Sequence, residues 1–212
     1  MYFKDRTDAG RQLAEHLLNY EKVPDGIVIG LPRGGVVLAV EVAKRLDLPL
    51  DVVCPRKIGA PMNPEFAIGA ITETGEGIFN KEAIDYLAVS DEYIKETVEY
   101  EKQQAQRRLI LYRPGMPPRD LKDKVVIIVD DGLATGSTMK AAIKSIKAEG
   151  AKQIVAAIPV SPTDTYAEIR EMVDDTVCLS TPPMFQAVGQ FYEQFMSTQD
   201  DDVVEIMSEY NQ

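Results

Sequence analysis

The sequence predicts an α/β fold in which a parallel five-stranded sheet carries helices on both faces. Two observations predict it. Short runs rich in Val and Ile recur at residues 27–31, 50–54, 125–129, 154–158 and 176–179, each as long as a buried strand and apolar on both faces. Helical patterns separate them, and this alternation of strand and helix is the mark of a parallel sheet covered on both sides.

Each element then has a local reason. Residues 36–46 are apolar on most sides, as a helix packed on such a sheet must be. A second helix starts near Ser137 and is stopped by Gly150. After the fourth run, Ser161 offers an N-cap, Pro162 a proline at the first helical position and Asp164 an acid at the third. The alternation is interrupted once, because nearly seventy residues separate Arg56 from Asp123 before the third strand. We expect one domain over 1–212 that contains an insertion over 58–122 and ends in an acidic, aromatic appendage over 180–212. Within the insertion, residues 66–71 and 75–79 read as a hairpin closed around Thr74, Gly75, Glu76 and Gly77. A long charged helix follows, with Ser90 as N-cap, Asp91 and Glu92 in its first turn and Val89 placed to staple to Ile94. The helix runs out near Arg107 and Arg108, and Pro114, Gly115, Pro117 and Pro118 then make a turn-rich loop, expected to be mobile.

Composition narrows the function classes. No apolar run approaches the ~20 residues that span a bilayer, and residues 1–6 are charged rather than signal-like, so a cytoplasmic protein without membrane contact is expected. A net charge of -11 opposes general nucleic-acid binding, which needs a basic footprint. The charge is uneven: residues 171–212 hold nine acids and no Lys or Arg, whereas residues 102–124 hold seven basic residues against two acids. Cys54 and Cys178 lie in strand-like runs and read as reduced core thiols rather than a disulfide or zinc site. His16 is the single histidine and reads as a surface residue, which leaves a His-centred triad without its base.

The chemistry concentrates in residues 125–138. A buried strand runs into Asp130 and Asp131, then into Gly132, Leu133, Ala134, Thr135, Gly136, Ser137 and Thr138, which open a helix. A phosphate at that helix mouth would receive backbone N–H groups, the positive end of the macrodipole and the three hydroxyls, with Gly136 admitting close approach. Two adjacent carboxylates at the strand end are costly unless they meet hydroxyls or a cation. Phosphate beside a sugar diol points to a ribose 5-phosphate. Other phosphate motifs fail on spacing: residues 132–137 lack a P-loop lysine, and Gly30, Leu31, Pro32, Arg33, Gly34 and Gly35 do not form the dinucleotide pattern.

This stretch resembles the 5-phosphoribosyl pyrophosphate (PRPP) signature of the type I phosphoribosyltransferases. The whole chain most resembles bacterial predicted members of that family with no assigned acceptor. The resemblance implies a Rossmann-like phosphoribosyltransferase type I fold with a small hood, for which residues 102–124 are the candidate. It assigns the 5-phosphate to Ala134, Thr135, Gly136, Ser137 and Thr138, and the ribose hydroxyls and developing ring charge to Asp130 and Asp131. Arg33, Gly34 and Gly35, after the first strand, match the pyrophosphate loop, in which the bond before the basic residue is often cis. Arg56 and Lys57, after the second strand, are similar to the Arg–Lys pair aimed at pyrophosphate. The implied cofactor is Mg²⁺, reached by Asp130 and Asp131 indirectly through ribose hydroxyls or water. The implied partners are PRPP and a small-molecule acceptor, and analogy with similar proteins implies a homodimer. Ala134 stands where members acting on 6-oxopurines carry an acid, which argues against those bases. Transfer of the phosphoribosyl group to a nitrogenous base is the expected activity; a non-catalytic PRPP sensor or a PRPP hydrolase are the alternatives. The aromatic residues between Pro182 and Tyr192 either stack on a base or pack on the core, the latter being the reading preferred.

Overall fold

The computed structural model describes residues 2–211; Met1 and Gln212, the ends of the expected single domain, lie outside them. The sheet is built from β1 (Gly26–Gly30), β2 (Leu50–Val52), β6 (Val125–Val129), β7 (Gln153–Val160) and β8 (Asp175–Ser180), in the order β2-β1-β6-β7-β8. All neighbours are parallel, with Val28 opposite both Leu50 and Ile127, and Ile128 opposite Ala156. Strand pleating explains why the runs are apolar throughout. Val125, Ile127 and Val129 face one core layer, while Val126 and Ile128 face the other, so every position is buried. The first layer is closed by α1 (Arg6–Glu15), α2 (Gly34–Leu46) and α7 (Asp200–Tyr210); the second by α5 (Ser137–Ala148) and α6 (Thr163–Arg170). Each fully buried Val or Ile here contributes about 1.5–3 kcal/mol relative to exposure.

The insertion forms a separate small antiparallel sheet from β3 (Arg56–Ala60), β4 (Asn63–Ile71) and β5 (Gly77–Phe79). The hairpin expected at 66–79 is β4–β5, with a further strand, β3, before it. A short helix α3 (Lys81–Tyr86), capped by Asn80, precedes α4 (Asp91–Tyr112). Ser90 caps α4 by accepting from the Tyr93 N–H, and Val89 packs with Ile94 in a third core around Ile58, Ile68 and Ile71.

Two local readings are corrected, and the loop after α4 gains an anchor. Ser161 is not a side-chain N-cap: its hydroxyl donates to the Pro162 carbonyl, and Pro162 takes the cap position with α6 starting at Thr163. At the start of the loop after α4, Arg113 forks onto Asp51 at 2.7 and 2.9 Å and also donates to the Pro117 carbonyl, while Pro114 and Gly115 are exposed. Cys178 is only half-buried, on an edge strand that borders solvent, while Cys54 is buried.

The tail returns to the start of the chain. Phe3 bridges to Tyr192, with backbone bonds from Phe3 to Phe191 and from Glu193 back to Phe3. Phe191 and Tyr192 are buried, so the aromatic cluster packs on the core as preferred. No helix among the described residues is long and apolar enough to cross a membrane.

Candidate functional site

β6 delivers Asp130 and Asp131 to the carboxyl edge of the sheet, where α/β folds gather their ligand-binding loops. The Asp130 carboxylate accepts from the Asp131 N–H at 2.9 Å, and the Leu133 N–H donates to the Val160 carbonyl, which fixes the loop against β7. Gly136 has φ of 69° and serves as N-cap of α5. Gly136 supplies no side-chain cap to that helix, and the Ser137 N–H at its first position donates to the Thr135 hydroxyl at 3.4 Å. The Thr135 and Ser137 hydroxyls are 3.0 Å apart, and Thr165 donates to the Ala134 carbonyl, holding the loop from behind. A cavity of about 310 Å³ opens here, lined by Asp130 to Thr138, with Lys57, Ala67, Ala70 and Val188.

A second cavity of about 440 Å³ lies on the other side of the acids, lined by Arg6, Pro32, Arg33, Gly34, Phe195 and Met196. Asp130 and Asp131 line both, and thus form the wall between the N-terminus of α5 and a cationic recess. The peptide bond from Pro32 to Arg33 is cis. Gly34 and Gly35 have a steric reason to be glycine. A Cβ on Gly34 would lie 2.0 Å from an Asp131 carboxylate oxygen, and one on Gly35 would lie 2.8 Å from the Val129 carbonyl oxygen. The loop after β1 therefore rests directly on the acids at the end of β6.

Electrostatics follow from this crowding. Burial raises the Asp130 carboxyl well above the usual carboxylate range, and the neighbouring Asp131 charge raises it further. Burial also raises Asp131, but Arg6 opposes the shift from 2.8 Å. Two such carboxylates call for positive charge or hydroxyl donors, and oxygen ligands suit Mg²⁺. Among the described residues no group of three or more acids, histidines or cysteines is arranged to hold a metal. Two carboxylates with ligand oxygens and water completing the shell is how Mg²⁺ is usually held, so the residues fit that ion.

The structure brings together Asp130, Asp131, the loop from Ala134 to Thr138, Arg33, Gly34, Gly35 and Lys57. It separates Arg56 from them. Successive residues of β3 point to opposite faces, and Arg56 turns to α4, where it meets Glu101 at 2.7 Å. Its assignment to pyrophosphate is not what the geometry places there. Nor do the basic residues 113 and 119 make an open hood. Arg119 is buried against Glu73 and Glu149 at 2.7 and 2.8 Å, and Arg113 is buried on Asp51. The element that lines the cavity opposite residues 130–138 is instead the β3–β4 sheet, through Lys57, Ala67 and Ala70. Sequence reasoning missed Arg6, Phe195 and Met196, which come from the two ends of the chain. Arg33 also meets Asp200 of α7 at 3.8 Å.

Comparison with known proteins decides the family. A model of the phosphoribosyl transferase domain matches residues 4–195. The chain belongs to the phosphoribosyltransferase family. A protein of Mycobacterium tuberculosis H37Rv named "Putative phosphoribosyl transferase Rv0571c" is 44% identical over 209 residues, which covers 95% of this chain and 45% of that protein. The chain thus spans about half the length of the curated relatives it matches. The crystal structure of TT1426 from Thermus thermophilus superposes with a TM-score of 0.84 at 40% identity, covering 99% of both chains. A uracil phosphoribosyltransferase of Clostridioides difficile is 40% identical over 58 residues, 27% of this chain and 28% of that enzyme. The chain has the expected α/β architecture: a five-stranded parallel sheet with helices on both faces.

Proposed function

We propose that this phosphoribosyltransferase binds PRPP with Mg²⁺ and transfers the 5-phosphoribosyl group to a nitrogenous base, releasing pyrophosphate. The observation that carries the reading is the position of the two acids between a glycine-capped, hydroxyl-lined helix N-terminus and a cationic recess. That arrangement matches a ligand with phosphate at one end, pyrophosphate at the other and a diol between them. The amides of residues 134–138 and the hydroxyls of Thr135, Ser137 and Thr138 hold the 5-phosphate. Asp130 and Asp131 accept from the ribose hydroxyls and offset the positive ring as the bond to pyrophosphate loosens. Arg33, the amides of Gly34 and Gly35, and Lys57 stabilise the leaving charge. Asp130 and Asp131 would hold Mg²⁺ indirectly, through ribose hydroxyls or water, and the ion would supply neutralisation of the leaving charge. These residues bind and stabilise, and the acceptor provides the nucleophile. Ala134 brings no acid to the loop, so an acceptor that needs a carboxylate to manage its proton, such as a 6-oxopurine, is disfavoured. The short likeness to a uracil enzyme supports a base as the acceptor class. A cytoplasmic setting, where PRPP is available, accords with the reading.

The test is titration calorimetry of PRPP and Mg²⁺ into the wild type and into the Asp130→Asn, Asp131→Asn double variant, followed by an acceptor screen that reads pyrophosphate release. Binding to the wild type and its loss in the variant is the expected result. No binding to the wild type would sink the reading, and release that needs no acceptor would make the protein a hydrolase.

A further inference from the structure

Among the groups that wall the site, Arg6 has no place in the signature, yet it is held there from several directions. Its Nε donates to the Asp131 carboxylate at 2.8 Å, its Nη1 donates to the Met196 carbonyl at 2.6 Å, and its guanidinium carbon lies 3.8 Å from the centre of the Phe195 ring. The side chain is only 11% exposed. It comes from the first residue of α1, whose N-cap Asp5 accepts from the Asp8 N–H, so its backbone is fixed by the helix start.

One explanation is that Arg6 is a counter-ion for Asp131 and nothing more. Two features go beyond that. First, a guanidinium carries five N–H donors in a rigid fork, and the bonds to Asp131 and Met196 use two of them. Second, the group borders the recess that holds Arg33 and Gly34, and a Cβ built on Gly34 would lie 2.7 Å from the Arg6 Nε. Arg6 therefore lies directly over the backbone of the loop from which the pyrophosphate amides come. The stacked Phe195 ring covers one face of the guanidinium and leaves its edge as the route to a ligand.

We propose that Arg6 is a substrate-binding residue, which reaches the pyrophosphate of PRPP with its remaining donors while Asp131 holds the rest of the fork in register. The inference rests on the proposed PRPP site and adds to it a cation from the opposite end of the chain. It also gives the tail a role in binding, because Phe195 and the Met196 carbonyl fix the angle at which the guanidinium enters the recess.

The experiment separates the two ends of the ligand. Inorganic pyrophosphate and ribose 5-phosphate are titrated separately, with Mg²⁺, into wild type, Arg6→Lys and Arg6→Ala, with thermal melts alongside. Lysine keeps the charge but cannot serve Asp131 and a ligand oxygen with one planar fork. Both variants are expected to lose about tenfold or more in pyrophosphate affinity, the scale of one charge-assisted hydrogen bond, and less in ribose 5-phosphate affinity, which shifts only through the loss of the Asp131 partner. If Arg6→Ala does not fold, Arg6→Lys alone is read. Equal losses for both ligands, or pyrophosphate affinity unchanged in a folded variant, would overturn the role and leave Arg6 a structural counter-ion. Failure of the wild type to bind ribose 5-phosphate would instead overturn the site itself.

Discussion

At the scale of single residues, steric and electrostatic reasons are separable, and each gives a measurement. Gly34 lies where any Cβ would press on the Asp131 carboxylate and on Arg6. Gly34→Ala is expected to push the loop off the acids, at an overpacking cost of about 1–3 kcal/mol. Pyrophosphate affinity should fall by more than ribose 5-phosphate affinity, which feels only the pressure on Asp131; equal losses would show that the glycine serves folding alone. The cysteines make a second case. Burial raises the Cys54 thiol far above its ordinary range and raises Cys178 to about 11. A thiol with a raised pKa is protonated below that value, and the reactive thiolate grows about tenfold per pH unit as pH approaches it. Both should resist iodoacetamide at neutral pH in the native protein, with half-exposed Cys178 labelled first as pH rises toward 11. Rapid labelling of Cys54 at neutral pH would contradict the packing of its strand.

At the scale of elements, legibility follows the length of chain over which a signal is written. The strand, acids, loop and helix start over 125–138 are contiguous, so the local structure of that segment could be read. The first loop is contiguous too, and its cis bond at Pro32–Arg33 agrees with what the family resemblance implies. Arg56 and Lys57 were legible only as a pair, because which of them faces the site depends on the pleat of β3, a strand whose Arg, Lys, Gly and Ala gave no apolar run. Arg113 and Arg119 look like a basic surface in sequence, and only the fold brings Asp51, Glu73 and Glu149 to meet them. The Arg119 cluster also fastens the small sheet to the main one. Its guanidinium bonds the Val52 carbonyl and Glu149, and Thr72 reaches Ser145 of α5 at 2.9 Å. Removing a single partner would leave buried carboxylates uncompensated, so Arg119→Ala is expected to lower stability by about 3–5 kcal/mol. Urea unfolding checks it: a midpoint unchanged from wild type would mean that the small sheet is held by apolar packing alone.

At the scale of the molecule, the site depends on both ends of the chain. Arg6 is 125 residues from Asp131 and 190 from Met196 in sequence, separations over which no motif is written. Tyr192 adds to this link by donating to the Asp131 carbonyl at 2.6 Å, beside the bridge from Phe3. Farther on, Val203 and Met207 anchor α7 in the core, and Tyr210 donates to the Leu48 carbonyl. The segment between these anchors, residues 193–199, is exposed along much of its length and supplies Phe195 to Thr198 as one wall of the cationic recess. A ligand in that recess binds the arrangement in which the wall is closed, so by linkage it must oppose any opening of the segment. Limited proteolysis should therefore cut within 193–199 in the free protein and slow there by a factor approaching 1 + [L]/Kd when PRPP and Mg²⁺ are added. The cut rate in the loop around Gly115, which lies away from both cavities, serves as the internal control and should not change. Slowing at both places would indicate a global rise in stability, whereas unchanged cutting at 193–199 under saturating PRPP would show that the tail is a bystander to binding.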